Sequence, residues 1–347
     1  MYIKKILWIV AVLGLLICGF ITYQIYLAIF SPNTQFNNDT AFVFIASDAN
    51  FSEVSEQLEP LVKDIFSFEA VAKRKGYINN IKGGKYAIKK GMNNNEIINS
   101  LRSNNIPIRV SFNNQESLQS LAGRISEQIE ADSIQLLEAF NNVDFLGENG
   151  FNDDTKLAMY LPNTYEFFWN TSAESFRDRM LKEYKRFWNE SRVNKAQSQN
   201  LTPLQVISLA SIVQKETAKT DERPRVAGVY LNRIEKGILL QADPTVIYAI
   251  KKETGNYDTI IKRVLYRDLE IDSPYNTYKY KGVPPGPIAM PDISSVDAVL
   301  NPEQHNYLFF VADVSNFGYH KFAETLAQHN RNKAQYVRWL NAQKTYR

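Results

Sequence analysis

Apolar residues fall along this chain in three rhythms. The first is continuous: ILWIVAVLGLLICGFITYQIYLAIF, from Ile6 to Phe30, holds no charged residue and has about the length a helix needs to cross the hydrocarbon core of a bilayer. The second alternates short strands with amphipathic helices. AFVFIA reads as a strand, FSEVSEQLEPLVKDIFSFEAVAKRKG as a helical stretch, GGKYAIKKG as a glycine turn at Gly83 and Gly84 leading into a strand, and NNNEIINSLRSN as a helix capped from Asn93 to Asn95. IPIRVSFN then predicts a strand, and LQSLAGRISEQIEADSIQLLEAF and SAESFRDRMLKEYKRFWNESR predict helices.

The third rhythm belongs to a core helix. Thr202-Pro-Leu-Gln205 is a capping box with proline at the first helical position, so a helix starts there. At about 100° per residue, Val206, Ile207, Leu209, Ala210, Ile212 and Val213 fill one broad arc, leaving Ser208, Ser211, Lys215 and Glu222 on the other. Glu216 breaks this pattern, because it falls on the apolar arc between Ile212 and Leu209. Burial disfavours the charged carboxylate and raises its pKa, as a general acid working near neutrality requires. The alternative is a structural acid at the helix rim, paired with Arg223 or Arg225.

Composition narrows the field. The 347 residues, 44% hydrophobic and 22% charged, can form two folded units. A net charge of +3 without a dense basic block or aromatic-basic stripe argues against nucleic acid. The single cysteine, Cys18, lies in the apolar run, which excludes an intrachain disulfide and a cysteine metal site. Lys4 and Lys5 precede the run and SPNTQFNNDT follows it without a basic residue. The expected topology is therefore a cytoplasmic N-terminus with the rest of the chain on the envelope side. The run exceeds a signal-peptide h-region, and Ile17 is too bulky for a lipoprotein signal ending at Cys18.

Ordinary glycosidases use two carboxylates, and partners for Glu216 are few. Asp243, in LLQADPTVIYAI, is either a second acid or the N-cap of the helix that follows. Glu222 is expected in solvent. His305, His320 and His329 lack companions at ligand spacing, so neither a metal nor a cofactor is expected, although His320 is a candidate to line a cleft.

LASIVQKETAKTDERPRVAGVYLNRIEKGILLQADPTVIYAI, SPYNTYKYKGVPPGPIAMP, NYLFFVAD and GYHKFAETLAQHN, taken in order and spacing, resemble the YceG-like, endolytic murein transglycosylase family over essentially the whole chain. The resemblance implies an α+β protein: a cytoplasmic tail (residues 1–5), a transmembrane helix (6–30), a linker (31–39), a small LysM-like α/β module (40–105) and a larger mixed α+β catalytic domain (106–347). It also implies a membrane-anchored lytic transglycosylase acting on peptidoglycan glycan strands beside cell-wall synthases. Such an enzyme cuts the MurNAc–GlcNAc bond without water and leaves 1,6-anhydroMurNAc ends, with Glu216 of the KET triplet as catalytic residue. One group suffices as acid and then base when no water is activated.

Substrate-binding candidates follow from the matching motifs: Tyr165 and Glu166 of LPNTYEF, Gln241 and Asp243 of LLQADP, Asn276, Thr277 and Tyr278 of YNTY, and His320. YNTY offers the amide, hydroxyl and aromatic faces that sugars require, and GVPPGPI a stiff wall beside the cleft. Three positions depart from the family pattern: Asn163 stands where Asp is usual, Gln214 where Glu is common, and Tyr319 precedes the histidine in place of a small residue. A hydrolase using Asp243, or a noncatalytic glycan-binding scaffold, are the alternatives.

Overall fold

The computed structural model describes residues 2–342. Two compact units divide them: one takes residues up to 110 with 128–131 and 166–172, the other 111–127, 132–165 and 173 onward. Strands form three two-stranded sheets between helices, a mixed α+β architecture.

In the first unit, α1 (Tyr2–Phe30) is a continuous helix with no buried residue, long and apolar enough to cross a membrane. It begins four residues before the apolar run, so Lys4 and Lys5 belong to it. β1 (Thr40–Ile45) and β2 (Gly84–Lys89) pair antiparallel, with Thr40 opposite Lys89 and Ile45 opposite Gly84. Strand alternation turns Val43, Ile45, Tyr86 and Ile88 inward. They meet Val54 and Leu58 of α2 (Phe51–Leu58), Phe68 and Val71 of α3 (Ile65–Arg74), and Ile97 and Leu101 of α4 (Asn94–Ser103). The long helical stretch is two helices because Pro60 cannot supply the N–H that would continue α2. Asn93 caps α4 in a capping box with Glu96.

The segment from 31 to 39, a linker by sequence, is packed into this unit. Pro32 bridges Asn93 and Thr34 bridges Val62. The Asn33 amide donates to Asn94 Oδ1 at 2.7 Å, and Asn94 donates to the Ala28 carbonyl at 2.8 Å. Side-chain amides thereby satisfy backbone groups that the chain exposes where α1 ends.

β3 (Pro107–Phe112) pairs with β4 (Asn163–Phe168). The second unit contains α5 (Leu118–Ser126), α6 (Ser133–Phe140), α7 (Val143–Glu148), α8 (Ala173–Phe187) and α9 (Glu190–Ser198). Its centre is α10 (Pro203–Glu216), packed by α11 (Arg223–Glu235), α12 (Asp243–Thr254) and α13 (Ile293–Leu300). The capping box forms as its spacing predicts: Thr202 Oγ1 accepts from the Gln205 N–H, and Gln205 Oε1 from the Thr202 N–H.

The polar arc of α10 differs from its sequence reading. Ser208 and Ser211 are 1% and 0% exposed, so the helix is buried on both faces. Their hydroxyls cost little there, because each donates to a carbonyl of its own helix, at Leu204 and Ser208. Ser211 also accepts the N–H of Ile288, which fixes the proline-rich loop GVPPGPI against α10. Finally β5 (Phe309–Ala312) and β6 (His320–Ala323) form an antiparallel hairpin with Phe310 opposite Phe322, and α14 (Leu326–Ala342) packs on it.

Candidate active site

α10 ends at Glu216, whose carboxyl enters a cleft of about 400 Å³ lined by Tyr230 and Arg233 of α11, Gln241, Asp243, Tyr278 and Phe310, with α14 contributing His329 and Lys333. The carboxyl keeps a partly exposed edge, yet protein surrounds it so closely that burial dominates its chemistry and its pKa is raised from 4.5 to about 7. The Tyr230 hydroxyl, donating to Oε1 at 2.7 Å, opposes that rise; Asp243 adds to it, and Arg233 counters it more weakly. Near neutral pH the group is therefore divided between its protonated and ionised forms.

Neither arginine considered as an ion-pair partner reaches Glu216. Arg223 pairs with Asp292 at 3.3 Å and Arg225 with Glu303 at 2.9 Å. The buried cation beside the acid is Arg233, held by the carbonyls of Leu308, Leu239 and Leu240 at 2.6, 3.0 and 2.9 Å. Tyr230 and Arg233 lie one turn apart on α11, an i, i+3 spacing that puts both on the face toward the cleft, but nothing in the sequence marks that face as the one opposite Glu216.

Asp243 is the first residue of α12, behind an Ala242 N-cap, and makes no capping bond. Its Oδ1 instead accepts the Tyr278 hydroxyl at 2.6 Å, so the cap reading gives way to a contact inside the cleft. Gln241 sits at φ +50, uncommon for a residue with a Cβ, held by its N–H to the Thr277 carbonyl.

The YNTY segment divides. Tyr278 faces the cleft, whereas Asn276 and Thr277 are buried and engaged internally. The Asn276 amide donates to the carbonyls of Leu269 and Ile271, and Thr277 Oγ1 accepts the Ala242 N–H and meets the Thr245 hydroxyl. They shape the loop that presents Tyr278 and Gln241. Tyr165 stacks on Phe112 and donates to the Leu161 carbonyl, while Glu166 is exposed; neither lines this cleft.

The histidines exchange places with expectation. His320 does not line the cleft: its Nδ1 lies 2.8 Å from Glu222 Oε2, and its N–H donates to Oε1. Glu222, expected in solvent, is 3% exposed, because α10 stops six residues earlier and the chain turns inward. His320 supports the wall through an edge contact with Phe310, which in turn packs edge-on against Tyr230. His329 is the histidine that lines the cleft. Gln214 accepts from the Asp292 N–H and the Ser295 hydroxyl, and so ties α10 to the start of α13. Among the described residues, no group of three or more His, Cys, Asp or Glu side chains could hold a metal ion.

The fold thus places one glutamate of raised pKa at the end of the central helix of a mixed α+β domain, where it opens on a polar cleft. The chain belongs to the YceG-like family, whose pattern it matches over residues 43–335. It is 31% identical to the endolytic murein transglycosylase of Bacillus subtilis, over 89% of this chain and 88% of that one. It is 29% identical to the protein of that name from Streptococcus pneumoniae D39, over 92% of this chain but 62% of the longer relative. A YceG-like protein of Listeria monocytogenes, known from a 2.6 Å crystal structure, superimposes with a TM-score of 0.57 at 28% identity, covering 85% of this chain and 99% of that one.

Proposed function

We propose that the protein is a membrane-anchored endolytic transglycosylase of peptidoglycan, with Glu216 as its catalytic acid and base. The observation that carries this reading is the Glu216 carboxyl itself, held at a pKa of about 7 in the cleft with Tyr230 on Oε1. The names of the relatives supply the substrate class. Protonated Glu216 donates to the glycosidic oxygen as the MurNAc–GlcNAc bond breaks; the carboxylate then takes the proton of the MurNAc 6-hydroxyl as that oxygen bonds to the anomeric carbon. The product is a 1,6-anhydroMurNAc end, no water is consumed, and Glu216 returns to its protonated form.

In this reading Asp243 steadies the positive charge that develops at the anomeric carbon, with Tyr278 fixing its orientation. Gln241 and Tyr278 face the sugar, while Asn276, Thr277 and His320 act by placing the groups that do. α1 is the anchor, with the two units on the envelope side. The α/β module of the first unit is LysM-like and assists in holding glycan, and cell-wall synthases are the expected neighbours.

Mass spectrometry of uncrosslinked glycan strands incubated with the full chain and with Glu216→Gln tests the proposal. Anhydro ends from the wild type and none from the variant are expected. Reducing ends, heavier by one water, would instead assign Asp243 the activation of water.

A further inference from the structure

The α14 side of the cleft is used by none of the steps above, and its polar groups share one character. His329 stacks on Phe309 with ring centroids 5.3 Å apart and 25° between planes, which fixes the imidazole. Its Nδ1 is fully buried and has no hydrogen-bond partner among the described residues. A buried N–H without an acceptor is unfavourable, so the proton belongs on Nε2, and that nitrogen becomes a donor on the open side of the ring. Burial, with Lys333 and Arg233 nearby, lowers the pKa of this histidine and favours the neutral ring. Lys333 lies four residues further along α14, lines the same cleft, is exposed, and makes no ion pair among the described residues. Arg233 spends Nε and Nη1 on carbonyls and keeps Nη2 unengaged among the described residues.

Three groups that only donate, two of them cationic, therefore line the cleft beside its two acids, each of which already accepts from a tyrosine, Asp243 from Tyr278 and Glu216 from Tyr230. A sugar ring offers hydroxyls that both donate and accept, and would be matched by a mixed set of partners. The cluster of His329, Lys333 and Arg233 Nη2, donors without acceptors of their own, matches carbonyls and carboxylates.

We propose that Lys333 and His329 form a subsite for the acidic peptide carried on the lactyl group of muramic acid, Lys333 pairing with a peptide carboxylate and His329 Nε2–H donating to an amide carbonyl. The inference rests on the glycan reading of the cleft and makes peptide-bearing strands the preferred substrate.

The test is equilibrium binding by the full-length Glu216→Gln chain, which binds without turnover. Three ligands are compared: an uncrosslinked muramyl tetrasaccharide with its peptides, the same glycan with every peptide carboxylate amidated, and chitotetraose, which has no lactyl group. The charged glycan should bind about tenfold more tightly than its amidated form, the worth of one charge-assisted contact. Adding Lys333→Glu should abolish that preference while leaving chitotetraose unchanged. His329→Leu should weaken both muramyl ligands severalfold but not chitotetraose, and His329→Gln, which keeps a donor amide, should restore much of the loss. Equal affinity for charged and amidated glycan, or a preference that survives Lys333→Glu, overturns the subsite alone. Binding of none of the three ligands overturns the glycan reading, and the subsite with it.

Discussion

The Tyr230 hydroxyl donates a 2.7 Å hydrogen bond to Glu216 Oε1, and this bond favours the carboxylate against the burial that favours the acid. Asp243 acts in the opposite sense, since a second negative charge nearby holds the proton on Glu216. Activity that needs protonated Glu216 should therefore fall as pH rises through about 7. Tyr230→Phe should move that alkaline limb to higher pH and Asp243→Asn to lower pH, each by about half a unit to one unit. The measurement is kcat/KM for strand cleavage across pH 5–9; limbs that move in the same direction would remove Glu216 as their origin.

Glu216 also makes stability depend on pH. Its folded pKa lies above the ordinary 4.5, so the folded state holds the proton more firmly than the unfolded state. The associated stability is complete below 4.5 and is lost as pH rises toward about 7. Glu216→Gln abolishes this loss. The variant should match the wild type at pH 4 and exceed it at pH 8 by on the order of 3 kcal/mol, as read from denaturation midpoints of the two full chains.

Glu222 holds β6 by accepting from the His320 N–H and facing the imidazole. Alanine there leaves a backbone donor without its acceptor and the ring without its partner, at a cost of about 2–4 kcal/mol. Glu222→Gln retains an acceptor for the N–H and should lose less. Thermal melts of the two variants give the order, and equal losses would mean that the backbone bond contributes nothing.

Gly286 is required by space. A Cβ at this position would be driven into the backbone carbonyl of Asp154, which has no side-chain freedom with which to yield. Gly286→Ala should cost about 1–3 kcal/mol by overpacking, whereas Gly237→Ala, where a Cβ meets nothing, carries only the strain of its φ of +64. Urea midpoints distinguish the two mechanisms when each variant is paired with Asn, which tolerates positive φ but is larger still: Asn should recover stability at 237 and worsen it at 286.

Much of the fold was legible because its signals are local. The uncharged run from Ile6 to Phe30 is long enough to have one helical outcome, and Thr202, Pro203 and Gln205 specify the start of α10 within four residues. The same local count put Glu216 on the apolar arc, while two other features of that helix were misread. The count assigned Ser208 and Ser211 to a polar face, yet each satisfies its hydroxyl within one turn and packs inward. Glu222 was placed on a continuation of α10 that ends at Glu216.

The sequence by itself determined the anchor-length helix, the start of the capped core helix and the acid on its apolar arc, because each depends on neighbours within a few residues. Tertiary structure decided which polar groups meet that acid. Tyr230 comes from the next helix, His329 from the last, and His320 is drawn away by Glu222 from 98 positions earlier in the chain. Side-chain periodicity tells which face of an element a residue occupies, but the identity of the group opposite it is set by packing between elements distant in sequence, and on that the pKa of Glu216 and the grouping of His329, Lys333 and Arg233 in one cleft depend.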